Sequence, residues 1–162
     1  MLSNQLLVEN SQGHYAPATI DQVFEAARDA MQHKFHRGTA FTTPGAVKDY
    51  LWVQMVNYEH EVFVALFLDN QHRLIACIEL FRGTIDQAVV YPREVVKEAL
   101  RVNAAAVIFS HNHPSGSPTP SEADKRLTHR LVQAMGSVDI RVLDHIIVAG
   151  TETASFAEQG LI

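Results

Sequence analysis

Cysteine is almost missing. Cys77 is the single one in 162 residues, which excludes an intramolecular disulfide and a Cys-rich zinc cluster. Charge is sparse as well: charged residues make up 19%, below the roughly 25% of an average soluble domain. Basic residues are the scarcer sign, 13 Lys plus Arg against 18 Asp plus Glu, leaving a formal charge of −5. That balance argues against a broad phosphate-binding face but leaves room for a local basic patch. No apolar run approaches the roughly 20 residues that span a bilayer. The start, Met1-Leu2-Ser3-Asn4-Gln5, lacks the basic and apolar regions of a signal peptide, so a cytoplasmic location is expected. Repeats and low-complexity tracts are absent too. What is present is 47% hydrophobic residues and nine histidines. A chain of this length and composition can build one self-sufficient core.

Residues 1 to 18 read as irregular, with Gly13 and Pro17 as breakers. Thr19 and Gln22 form a capping-box signal, and Val23, Phe24, Ala27, Met31 and Phe35 follow at helical spacing, predicting a helix over 20–35. Thr43-Pro44 opens a second helix carrying Val47, Leu51 and Met55. The period then changes. Val62–Leu68 is an unbroken apolar run, the pattern of a strand buried on both faces. Leu74–Phe81 and Thr84–Tyr91 read as further strands, and Pro92 opens a short helix through Leu100. Ala104–Phe109 is a small buried strand. A Pro- and Ser-rich loop leads to a helix over 121–135, and Ile140–Val148 is the last strand. Strands mixed with helices on one core imply an α/β architecture of two or three layers.

Chemistry concentrates after the Ala104–Phe109 strand. His111 and His113 are two apart and share a face if the strand continues. Pro114 favours that, because it holds the preceding residue extended. Asp124, in the first turn of the next helix, can bring an oxygen to the same place. Two imidazoles and a carboxylate leave one position open for water, the pattern of a catalytic zinc site. Blander readings stay open here: the histidines as polar residues at a sheet edge, and Ser121 with Asp124 as a helix cap. Asp144-His145 is either a pair that orients a ligand or a hydrogen-bonded feature of a strand. Cys77 reads as a small core residue. His14, His33, His36, His60, His72 and His129 show no partner spacing and read as surface residues.

His111-x-His113-Pro114 followed by Ser121-x-x-Asp124 resembles the JAMM motif of MPN/JAB metalloproteases. The surrounding segments are similar to its bacterial RadC-like branch: Glu61-Val62-Phe63, Gly83-Thr84, Pro92-Arg93-Glu94, Asn112, Ser115-Gly116 and Leu143-Asp144-His145-Ile146. The resemblance runs from about Phe41 to Ile162. It implies a three-layer α/β/α fold of the MPN (JAB) type, with a cytidine-deaminase-like mixed sheet flanked by helices. A domain at 41–162 would then follow an N-terminal helical extension at 1–40, too short for the helix-hairpin-helix region of longer relatives.

The resemblance also assigns roles. His111, His113 and Asp124 would hold one zinc ion. Glu61 would be the general base, with Glu59 as a nearby rival, and a carboxylate at the mouth of an apolar strand is partly desolvated and so more basic. Ser121 would donate to the developing oxyanion. The implied activity is hydrolysis of an amide bond in a peptide or isopeptide-linked protein. Two alternatives come with the family: a DNA-repair or mobile-element accessory protein, and a non-catalytic interaction module. The acidic balance makes nucleic acid an unexpected high-affinity ligand. A base deaminase is disfavoured because its zinc site needs a Cys-x-x-Cys pair.

Overall fold

The computed structural model describes residues 5–83 and 89–162. Its elements run β1 (Leu7–Glu9), β2 (Tyr15–Pro17), α1 (Ile20–Lys34), α2 (Pro44–Met55), β3 (Val62–Leu68), β4 (Leu74–Arg82), α3 (Pro92–Arg101), β5 (Ala106–Asn112), α4 (Glu122–Gly136), β6 (Arg141–Ala149) and β7 (Glu152–Ser155). Five strands form a mixed sheet in the order β4-β3-β5-β6-β7. Among the described residues only β5 and β6 pair in parallel, and α4 is the crossover that a parallel pair requires.

Strand β3 is buried at every position and feeds two cores. Val62, Val64, Leu66 and Leu68 face α2, meeting Val47, Tyr50, Leu51 and Met55. Phe63, Ala65 and Phe67 face the other way, onto Val95 and Ala99 of α3 and Leu131 and Met135 of α4. The result is an α/β/α sandwich, as expected. Helix α1 lies outside α2, with Phe24 and Trp52 at a ring separation of 5.9 Å. It buries none of its own residues, but Phe35 just beyond it stacks on Phe41 within the α2-side core.

Several expectations change. The segment read as irregular contains the hairpin β1–β2, registered Val8 to Ala16. Both strands are exposed throughout and so carry no half-buried alternation to read. Residues 5–40 therefore hold a hairpin in addition to the expected helix. Strand β7 was not expected; it pairs with β6 at the sheet's edge. In the stretch 84–91 read as a strand, residues 84–88 lie outside the described residues, and Val89, Val90 and Tyr91 are not in a strand. Strand β5 starts later than expected and runs three residues further, which places His111 inside the sheet. Cys77 is exposed on β4, an edge strand, rather than part of the core. His60 and His72 are half-buried, while His14, His33, His36 and His129 are exposed.

Candidate metal centre

Three consecutive elements, β5, α4 and β6, build the site. His111 is the penultimate residue of β5. His113 stays in line with it because its N–H donates to Val148 O on β6 at 2.8 Å. The chain then turns: Gly116, at φ 79°, donates its N–H back to His113 O at 3.0 Å. A positive φ at that position favours glycine. The loop ends at Ser121, the N-cap of α4.

Ser121 and Asp124 form the reciprocal cap foreseen as a bland alternative. Ser121 Oγ accepts from Asp124 N–H at 3.1 Å, and Asp124 Oδ2 accepts from Ser121 N–H at 2.7 Å and from Ser121 Oγ–H at 2.6 Å. The cap and the ligand readings hold together, because the same carboxylate reaches the histidines. Asp124 Oδ1 lies 3.4 Å from His111 Nε2, and Oδ2 lies 3.5 Å from His113 Nε2. The two Nε2 atoms are 2.9 Å apart. One ligand atom from each residue falls within 4.8 Å of the others.

Hydrogen-bond arithmetic assigns the ring protons. Thr128 Oγ–H donates to Asp124 O at 2.7 Å, which uses its only proton. The 2.6 Å contact between Thr128 Oγ1 and His145 Nδ1 is therefore donated by His145. His145 is fully buried, and burial drives its pKa well below the ordinary histidine value, so the ring is neutral and Nε2 is bare. That nitrogen accepts from His111 Nδ1–H at 2.8 Å, leaving His111 Nε2 unprotonated. His113 Nδ1–H donates to Ser117 O at 2.7 Å, leaving its Nε2 bare as well. Two lone pairs facing one another at 2.9 Å beside a carboxylate demand a cation between them. A proton serves in the metal-free protein, and the hydrogen bond to Asp124 accordingly raises the pKa of His113 against the opposing effect of burial. Burial alone would raise the pKa of Asp124, but the adjoining His111 and His113 rings and the Ser121 hydroxyl outweigh it and hold the carboxyl well below the usual range. A divalent ion with nitrogen and oxygen ligands fits the same three atoms.

Of the residues expected at the site, Glu61 shares a cavity of about 330 Å³ with His111 and Asp124. The β3–β5 register pairs Phe63 with His111, and Glu61 lies just before β3 begins. Its rival Glu59 lines a separate cavity of about 210 Å³ on the His113 side. Ser121 is at the site, with its hydroxyl proton engaged by Asp124. Asp144 is turned away: it accepts from Ser155 Oγ–H at 2.6 Å and from the N–H groups of His145 and Ala157. The pair thus divides between the two readings, His145 supporting a ligand and Asp144 tying β6 to the turn after β7.

Sequence reasoning assigned no role to Thr128 or Asn112. Asn112 is buried; its Oδ1 accepts from Val62 N–H at 2.7 Å, and its Nδ2 donates to His60 O at 2.9 Å and Tyr58 O at 3.3 Å. It clamps the chain on both sides of Glu61. Its place between His111 and His113 was the available signal, since a side chain there must project from the opposite face of the strand.

Among proteins of known sequence, the model of the RadC-like JAB domain matches residues 41–161. A UPF0758 protein of Vibrio cholerae serotype O1 is 58% identical over 139 residues, covering 86% of this chain and 87% of the relative. A second from the same organism is 55% identical over 140 residues, covering 86% and 88%. A UPF0758 protein of Methylibium petroleiphilum is 54% identical over 145 residues, covering 90% of this chain but 65% of the relative's own length. A bare-lone-pair His-His-Asp centre on a mixed α/β/α sheet and a match over most of its length agree: the chain belongs to the RadC-like JAB domain family.

Proposed function

We propose that the protein is a zinc-dependent metallohydrolase that cleaves an amide bond in a peptide or an isopeptide-linked protein. The observation that carries this reading is the convergence of two imidazole nitrogens and one carboxylate beside a cavity that also holds Glu61. His111 Nε2, His113 Nε2 and an Asp124 oxygen would hold the ion. When bound, zinc would supply Lewis acidity and lower the pKa of a coordinated water to about 7. Glu61, which lines the same cavity, would take a proton from the attacking water and return it to the departing amine nitrogen. Ser121 Oγ–H, released from Asp124, would donate to the developing oxyanion. Among the described residues no helix is long and apolar enough to cross a membrane, and the proposed setting is the cytoplasm.

Metal analysis of the purified protein, paired with a cleavage screen over peptides and isopeptide conjugates, tests this. About one zinc per chain is expected in the wild type and in Glu61→Gln, with turnover only in the wild type. His113→Ala should lose both. Protein that takes up no zinc when supplied with it, or Glu61→Gln that cleaves as well as the wild type, overturns the assignment.

A further inference from the structure

The cavity that joins Glu61, His111 and Asp124 continues along α4 past Arg126 to Arg130, with Phe63, Val90 and Leu127 as apolar wall. Residues four apart on a helix lie on one face, about 6 Å apart along the axis. Two like charges in that relation repel unless an anion sits between them. Among the described residues seven of the basic side chains lie beside carboxylates; the adjacent Lys125 is 2.7 Å from Glu122, which also exerts a longer-range pull on Arg126. Arg126 and Arg130 form no ion pair among the described residues. Among the described residues lining this cavity Arg126 and Arg130 are the two guanidiniums, and such a pair forms a receptor for a single compact anion.

We propose that Arg126 and Arg130 select an amide substrate carrying a carboxylate within a few residues of the bond to be cut. The inference rests on the hydrolase reading for what is cut, but not for what is bound. A carboxylate suits the site better than a nucleic acid backbone. Two arginines in one cavity offer two contacts, whereas duplex binding neutralises a track of several phosphates, and the net charge of −5 repels a polyanion. Apolar wall beside the arginines provides for the substrate's chain next to its acid.

Glu61→Gln protein loaded with zinc is immobilised and offered a mixture of N-acetylated hexapeptides in which one position is Glu, Asp, Gln or Asn. Half of the mixture has an amidated C-terminus and half a free one. Glu and Asp peptides should be retained about tenfold better than their amide counterparts, the worth of one charge-assisted contact at a solvated site. The preference should fade with salt and vanish in the Arg126→Gln/Arg130→Gln double variant, whose zinc content and affinity for Gln peptides should stay unchanged. Retention that follows only the free C-terminus would identify the terminal carboxylate as the recognised group. Equal retention of acidic and amide peptides, or a preference that survives the double variant, overturns the inference even if the wild type cleaves amides. Acidic preference without cleavage by the wild type leaves the inference standing and removes the hydrolase reading. A labelled 20-mer DNA bound at micromolar affinity or tighter, and lost in the double variant, overturns it in favour of phosphate.

Discussion

Thr128 has one proton to give and gives it to its own helix, and that fixes the direction of every hydrogen bond onward through His145 to His111. A valine at this position keeps the shape but removes the oxygen that holds the His145 proton at Nδ1. His145 is then free to place its proton on Nε2, where it competes with the proton of His111 Nδ1. Partners behind a ligand histidine are worth about 10- to 100-fold in metal affinity. Thr128→Val should therefore bind zinc at least about tenfold more weakly in a chelator competition, while Thr128→Ser, which keeps the hydroxyl, stays close to the wild type. Nitrogen-15 spectra of the imidazoles provide the tautomer directly, and an unchanged His111 signature in Thr128→Val would sink the proton assignment. The convergence of His111, His113 and Asp124 is legible from their spacing along the chain. His145 is not, because it meets His111 across 34 residues through the parallel register of β5 and β6, and nothing in local sequence reports which strands are neighbours.

Among the elements, strand β3 is the plainest. Seven apolar residues in a row leave no polar face, so its limits follow from hydropathy alone. Its exit is set by one side chain: Asp69 Oδ1 accepts from Gln71 N–H at 2.8 Å and Arg73 N–H at 2.9 Å, and Oδ2 accepts from Arg73 Nε at 2.7 Å. The Arg73 backbone hydrogen bond is the main cause of a pKa below the ordinary 3.8. A carboxyl depressed on folding stabilises above its unfolded pKa and loses that contribution as pH falls through the folded value. Asp69→Asn should thus lower the urea midpoint at neutral pH, and the gap to wild type should close under strongly acidic conditions. A gap independent of pH would assign the effect to the turn's shape rather than to charge. Strands β1, β2 and β7 lie at the opposite extreme. Leu7 and Val8 point to solvent, and Glu152-Thr153-Ala154-Ser155 has no apolar run. Such strands are held by backbone pairing to a neighbour, which a reading of side-chain pattern does not register.

For the whole molecule, anything that binds the folded chain alone stabilises it in proportion to the logarithm of its concentration over Kd. Zinc at about 100 times its Kd should add about 2.7 kcal/mol, or roughly 5–10 °C in Tm for a domain of this size. Chelation should reverse the gain. Glu61→Gln should show the full shift, and His113→Ala none, in a thermal melt followed by circular dichroism. A zinc-induced rise in Tm that persists in His113→Ala would place the ion elsewhere.

His113 is pinned to Val148 O, and His111 leans on a ring that arrives with β6. A nascent polypeptide still short of that strand therefore offers an incoming ion only a floppy pair of imidazoles. On the proposed reading, tight capture follows closure of the crossover, and a chain truncated before residue 148 should hold zinc at least about tenfold more weakly than the full chain in a chelator competition.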